Sequence, residues 1–267
     1  AYVQNLFEYD DIIVNAGLRY DYWDPNALLP VNLRAKTDTD NGIRLDSELE
    51  AGVARSQLSP RFGLAYPISD NGAIHVSYGH FFQLPRFNAI YNNYEYEIKL
   101  GGLQTTMGNV NLKPEKTIGY EIGIQQQLSL VYGLELTMYY KDISNLLSQE
   151  IISTIDEKVY ARYINRDYGN VRGITFTLNK LYSDLFSGSI DYTYQTAKGN
   201  ASDPNAVFND YNDNKEVEKQ VLPLDWDQTH TLNTSLSIGK PGGVKVGLIG
   251  RFATGQPYTP SSPGSAL

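Results

Sequence analysis

Side chains along this sequence alternate between apolar and polar at every second residue, over stretches longer than an ordinary soluble strand. From Thr117 to Leu128, Ile118, Tyr120, Ile122, Ile124 and Leu128 fall on one side and Thr117, Gly119, Glu121, Gly123, Gln125 and Gln127 on the other. Leu134, Leu136, Met138 and Tyr140 repeat the pattern against Glu135, Thr137, Tyr139 and Lys141. Phe186, Ile190, Tyr192 and Tyr194 alternate with Ser187, Ser189, Asp191, Thr193 and Gln195. Ile12, Val14, Ala16, Leu18, Tyr20 and Tyr22 do so against Asn15, Gly17, Arg19 and Asp21. Towards the end, Leu232, Leu236 and Ile238 oppose Asn233, Ser235 and Ser237, while Val244, Val246, Leu248 and Phe252 oppose Lys245, Gly247 and Arg251. Successive strand residues point to opposite faces, so each run is a strand with one apolar and one polar face. Helical spacing fits none of them.

The runs cover roughly 10–13 residues each, against about 5 or 6 in soluble strands. A tilted strand crossing a bilayer needs about 9–11. Length therefore favours a membrane wall. The connections alternate as well. Short turns surround Tyr9-Asp10-Asp11, residues 68–72, 129–132, 182–184 and 239–242; long polar segments cover 24–56, 85–114, 145–170 and 197–225. Outer-membrane barrels show this alternation, with short periplasmic turns and long external loops. The expected fold is an all-β, antiparallel, up-and-down transmembrane barrel with about ten strands, the first starting at or before Tyr2 and the last climbing from Gly243 to Ala253. On that orientation Tyr20, Tyr22, Trp23, Phe82, Tyr140, Tyr192 and Tyr194 form part of an external aromatic girdle. The 21 Tyr against 9 Phe and 2 Trp suit such an interface, where a ring meets lipid and a hydroxyl meets water.

Several classes are disfavoured. No apolar stretch approaches 18 residues, so no transmembrane helix is expected. Thirty acidic against 22 basic residues, a net −8, argue against a nucleic-acid partner. Cysteine is absent, which removes disulfides, thiol nucleophiles and thiolate zinc sites together. The chain opens Ala1-Tyr2-Val3-Gln4 with no signal sequence and stops at Ser265-Ala266-Leu267 in what reads as another loop, so it is expected to be a fragment.

Two local features leave alternatives. Gly17, Gly63, Gly79, Gly119, Gly123, Gly173 and Gly247 lie on the polar face, with Gly188 and Gly250 on the apolar one. The polar-face set either relieves crowding where strands bend or is tolerated inside a wide lumen. Pro60 removes a ladder donor and is expected near the outer end of its strand or at a bulge.

The segment Gly108-Asn109-Val110-Asn111-Leu112-Lys113-Pro114-Glu115-Lys116, followed by Tyr120-Glu121-Ile122-Gly123, resembles the N-P-x-L-K-P-E and Y-E-x-G signature of TonB-dependent receptor barrels, with Val110 in place of the usual Pro. Leu58-Ser59-Pro60-Arg61-Phe62-Gly63 and Tyr78-Gly79-His80-Phe81-Phe82-Gln83-Leu84-Pro85 resemble the preceding hairpin of that family. Asn165-Arg166-Asp167-Tyr168-Gly169-Asn170-Val171-Arg172-Gly173 resembles its N-x-G-x-x-x-x-x-G strand start. Asp227-Gln228-Thr229-His230 and Gly255-Gln256-Pro257-Tyr258-Thr259-Pro260 resemble the later strand start and loop. The resemblance covers nearly the whole chain in order. It implies that residues 1–267 are part of a single 22-stranded barrel domain, without the plug domain and the C-terminal strands. It further implies TonB-coupled uptake of a scarce nutrient (siderophore, vitamin, sugar or peptide) across the outer membrane of a Gram-negative-type bacterium. The implied partners are outer-membrane lipid, the TonB complex acting through a plug, and the solute. A passive outer-membrane channel, or a soluble carbohydrate-binding β-sandwich, are the alternatives.

No catalytic residues are expected, and no cofactor or metal. His75, His80 and His230 lie in separate strands without ligand spacing, His80 and His230 near the interface. No Gly-x-Ser-x-Gly elbow or phosphate loop occurs. Asp210-Tyr211-Asn212-Asp213-Asn214 alternates like a calcium loop but lacks its Gly and terminal Glu, and reads as a solvated external loop. Candidate ligand-binding residues are the loop aromatics Phe87, Tyr91, Tyr94 and Tyr96, since rigid rings order cheaply on binding. They could equally pack against neighbouring loops. Arg19, Asp21, Arg61, Glu121, Glu135, Asp191, Lys245 and Arg251 are expected to face the lumen, where they either touch plug or solute or simply keep a wet interior polar.

Overall fold

Ten long strands pair in the order in which the chain runs. In the computed structural model, which describes residues 1–38, 43–200, 203–214, 221–240 and 242–258, these are β1 (Tyr2–Tyr9), β2 (Ile12–Trp23), β3 (Arg55–Ser69), β4 (Gly72–Gln83), β5 (Glu115–Gln127), β6 (Tyr132–Ser153), β7 (Val159–Ser183), β8 (Phe186–Gly199), β9 (His230–Gly239) and β10 (Lys245–Ala253). Each pairs antiparallel with its chain neighbours in one sheet. Among the described residues β1 and β10 each have a wall strand on one side only. Pro241, Thr259, Pro260 and the 265–267 terminus fall outside the described residues.

The register explains why the alternation persists. Directly paired residues share a face, and Ile122 lies opposite Val76 and Met138, Leu136 opposite Phe176, and Ile190 opposite Leu178 and Thr234. That face is open: Ile122 is 51% exposed, Met138 47% and Ile190 43%. The other described sheets are two-stranded pairs, 28–30 with 49–51 and 37–38 with 44–45, and neither makes a second layer over it. A continuous uncovered apolar face of this extent is what a lipid-facing wall presents, and it removes the soluble sandwich. Pro60 pairs with Leu18 of β2, while the ladder to β4 begins one residue inward at Arg61–Gly79, so its missing donor falls at that ladder's outer end.

Segment 145–170 departs from the expected external loop. β6 and β7 are 22 and 25 residues long and continue as one hairpin to Ser153 and Val159, with register shifts around Leu146. Asn145 at φ 62° marks the irregularity. The alternation fades there because this part of the hairpin is packed by loops rather than by lipid. Residues 24–38, 43–54 and 85–114 fold against it and form a cap at the long-connection end. One cluster joins Leu29, Ala89, Ile90, Val110, Leu112 and Leu147, with Trp23 against it. A second joins Leu45, Ile98, Met107, Ile152 and Tyr160. Each fully buried Leu or Ile contributes about 1.5–3 kcal/mol. The chain's buried apolar core therefore lies largely in its loops. Trp23 is corrected accordingly: it packs on the first cluster and takes no part in an outward girdle.

Candidate functional site: the concave wall and its outer cap

The polar face of the sheet is concave and lines a cavity of about 1100 Å³. The register puts the eight charged residues named from the sequence on this side, but it does not assemble them into one constellation. Arg19 pairs with Asp21 at 2.8 Å. Glu121 stands 3.7 Å from His75, and Glu135 accepts from the Thr137 hydroxyl at 3.4 Å. Asp191 accepts from Thr177 at 3.0 Å, and Lys245 lies 5.9 Å from the Tyr182 ring. Arg61 rests against Phe81. Arg251 projects, exposed, from the end strand β10. Arg19, Arg61 and Glu121 line the large cavity, and Lys141, Phe81, Tyr139 and Trp226 join them. Those four were missed. Their signal was present in the parity of the runs, since Phe81, Tyr139 and Lys141 sit at polar-face positions, two of them as aromatics out of pattern.

Glycines on this face carry rings. A Cβ on Gly123 would meet the His75 imidazole at 2.3 Å, and one on Gly173 would meet the Tyr139 hydroxyl at 2.6 Å. A bare backbone gives an aromatic ring a flat seat on a strand, a device used to restore packing at strand glycines. Neither strand bending nor simple tolerance describes these positions as well.

The opposite face carries an aromatic belt near the outer end. Tyr78, His80, Phe82, Tyr120 and Tyr140 contact one another across β4, β5 and β6, with centroids 5.2–6.4 Å apart along the series. His80 Nε2 bonds the Tyr78 hydroxyl at 2.5 Å, and His230 Nδ1 bonds Tyr192 at 2.8 Å. Both histidines are thus engaged with belt tyrosines.

The cap aromatics divide into two pairs. Tyr91 donates to the Pro25 carbonyl at 2.9 Å and Tyr96 to that of Leu28 at 2.5 Å, so both tie 85–114 to 24–54. Burial pushes the Tyr96 hydroxyl pKa up, which keeps it a donor. Phe87, in helix α1 (Phe87–Tyr91), is 70% exposed and Tyr94 74%, and these two face outward. Beside Tyr94, Arg44 bridges Glu95 at 2.6 Å and Glu97 at 3.0 Å. The hairpin is fastened to the same loops. The fully buried Tyr160 donates to Leu33 O at 2.6 Å, and Thr106–Met107 adds a short parallel pairing at Ala161–Arg162. Arg162 donates to Asn109 Oδ1 at 2.9 Å; its desolvation lowers the guanidinium pKa. At the tip, Asp156 accepts from the hydroxyls of Thr37 at 2.6 Å and Thr154 at 2.7 Å, which hold its carboxyl down at about 2.

Residues 206–212 are a correction to the expected loop: they form helix α2 (Ala206–Asn212), with Val207 buried and Asn205 Oδ1 accepting from Gln149 at 2.9 Å. No cluster of three metal-ligating side chains occurs among the described residues.

Comparison with known proteins agrees with this architecture. A family model described as TonB dependent receptor-like, beta-barrel matches residues 1–264. The FrpB iron transporter from Neisseria meningitidis (F3-3 variant) superposes with a TM-score of 0.59 at 15% identity, over 94% of this chain and 32% of that one. The siderophore receptor PirA from Pseudomonas aeruginosa gives 0.58 at 17%, over 94% and 40%. The ferric-catecholate import receptor Fiu from K12 E. coli gives 0.55 at 19%, over 94% and 33%. The chain therefore spans 32–40% of the length of these three structures. No curated protein matches it in sequence. With a family model matched along nearly its whole length and ten strands paired in chain order, the chain belongs to the TonB-dependent receptor β-barrel family.

Proposed function

We propose that this chain is part of the wall and outer cap of an outer-membrane receptor that imports a scarce nutrient under TonB control, and that it has no enzymatic role. The observation that carries this reading is the two-sided sheet: an uncovered apolar convex face and a charged concave face, in strands long enough to span hydrocarbon. In this scheme residues 1–267 are one portion of a single barrel, and a plug domain elsewhere in the protein engages TonB. Phe87 and Tyr94, rigid and exposed on the cap, meet the solute first; the concave charges meet it or the plug later. Iron chelates are the solute class that the names of FrpB, Fiu and PirA support.

The test is growth of a receptor-deleted Gram-negative host carrying the full-length gene, under iron limitation with supplied siderophores, with and without functional TonB. TonB-dependent rescue is the expected result. Solute entry that persists without TonB would make the protein a passive channel and overturn the proposal.

A further inference from the structure

Residues 108–114 run from the cap into the first residue of β5, and three asparagine carboxamides tie them to their surroundings. Asn165 of β7 holds Lys113 as a neighbouring strand would. Its Oδ1 accepts from Lys113 N at 2.7 Å, and its Nδ2 donates to Lys113 O at 2.9 Å. Nδ2 also donates to Asn145 O of β6 at 2.8 Å, where that strand is irregular. A carboxamide carries two donors and an acceptor on one plane, so a single side chain closes all three bonds. Pro114 prepares the partner, because the residue before a proline is pushed towards extended backbone. An extended residue offers its own N–H and C=O on the same side, as in an antiparallel pair.

The other two carboxamides act from within the segment. Asn109 Nδ2 donates to Tyr163 O at 2.9 Å and its Oδ1 accepts from Arg162 at 2.9 Å, so both bonds reach β7. Asn111 Oδ1 accepts from Val53 N at 2.8 Å, and its carbonyl accepts from the guanidinium of Arg55, the first residue of β3, at 2.8 Å. The backbone also crosses the preceding loop closely. Gly108 N donates to Asn92 O at 2.8 Å and Asn109 N to Ala89 O at 2.9 Å, and a Cβ on Gly108 would fall 2.5 Å from Ile90 O. Leu112, fully buried, shares one apolar cluster with Ile90 and Leu147. Loop 43–54, loop 85–107 and the outer hairpin 145–165 therefore meet on one short stretch that is continuous with the wall. Segments fastened at one place open together, because loosening one removes the support of the others.

We propose that Asn109, Asn111 and Asn165 make residues 108–114 the joint of the cap, through which the two loops and the outer hairpin open as one cooperative unit. The joint stands apart from the transport reading above. It adds to that reading that the exposed Phe87 and Tyr94 are carried on a single body rather than on separate loops.

Amide hydrogen exchange in the full-length receptor, reconstituted in lipid discs, is the test. Asn165→Ala removes three bonds and is expected to speed exchange about tenfold or more in 43–54, 86–107 and 146–163 together, and less than about twofold in β4. Asn165→Asp keeps the shape but sets a carboxylate against two carbonyls, so it should loosen the cap at least as much. Lys113→Ala keeps the backbone groups that Asn165 holds and should leave exchange as in the wild type. Loosening confined to 109–116, or to one of the three segments, would overturn the joint. So would an Asn165→Asp variant that exchanges like the wild type, since the carboxamide would then only fill space. If neither Asn165 variant folds, Asn111→Ala, which deletes the bond to Val53 alone, replaces them: a smaller rise shared by all three segments supports the joint, and a rise in 43–54 only overturns it. Exchange is read without TonB or solute, so its failure leaves the growth test of transport untouched, and failed growth leaves the joint.

Discussion

Tyr139 lies across Gly173, its partner on the neighbouring strand: a Cβ built on that glycine would fall 2.7 Å from the ring's Cζ, and the phenol hydroxyl donates to Gln195 Oε1 at 2.9 Å. The backbone of β7 is therefore the seat of a side chain from β6, and the bond to β8 spans three strands of the wall. Gly173→Ala should push the ring away and break the bond to Gln195. Overpacking of this kind costs about 1–3 kcal/mol. Denaturant unfolding of the full-length receptor in detergent checks this, and unchanged stability would show that the ring has another seat.

The two faces of β5 should respond oppositely to charge. Ile122→Arg places a guanidinium in the apolar face and is expected to cost about 2–4 kcal/mol if that face meets the bilayer midplane. Gln125→Arg, on the concave side of the same strand, should cost little. Folding yield into lipid vesicles reads both, and equal tolerance would contradict a lipid-facing wall.

Tyr160→Phe tests the cap. The hydroxyl is buried, its pKa pushed up by desolvation, and it satisfies the carbonyl of Leu33 at 2.6 Å. The variant keeps the ring's packing and leaves that carbonyl unpaired, at about 1–3 kcal/mol. Faster amide exchange around residues 29–38, with the wall strands unaffected, is the expected signature.

The hairpin tip should loosen in acid. The Asp156 carboxyl titrates at about 2 when docked, below its ordinary 3.8, because the Thr37 and Thr154 hydroxyls bond the ionised form. Support for docking is thus fully present above the ordinary value and is lost as pH falls through about 2. Asp156→Asn should show the loosened tip at neutral pH, read by limited proteolysis within 24–54. Identical proteolysis of variant and wild type would dismiss the contact's role.

Residues 1–267 alone should fail to insert stably, because among the described residues β1 and β10 each have a wall strand on one side only, and hydrocarbon cannot satisfy an unpaired backbone edge. A heat-modifiable, folded monomer on a gel would contradict this.

How much of this was legible beforehand varies by element. For the ten wall strands, lipid on one side and water on the other impose a period of two, so positions such as Ile118 to Ile124 announce their face, while their partners wait for the register. The lumen charges follow from the same parity. Phe81, Tyr139 and Lys141 were legible in placement but not in role, because a ring seated on glycines of other strands depends on register. The cap was illegible. Leu147, Ile152 and Tyr160 are buried by loops from distant parts of the chain, as the bond from Tyr160 to Leu33, 127 residues away, illustrates.

The sequence by itself determined this stretch of wall: about ten strands, their up-and-down order, and which side of each is apolar, since the solvent on each face acts on every residue locally. Only the tertiary structure decided that 145–170 is a hairpin, that Tyr91 and Tyr96 fasten loops while Phe87 and Tyr94 stay exposed, and that Arg61 lies over the Phe81 ring and Lys141 over that of Tyr139. Those outcomes depend on contacts between segments far apart along the chain, and no local periodicity encodes them.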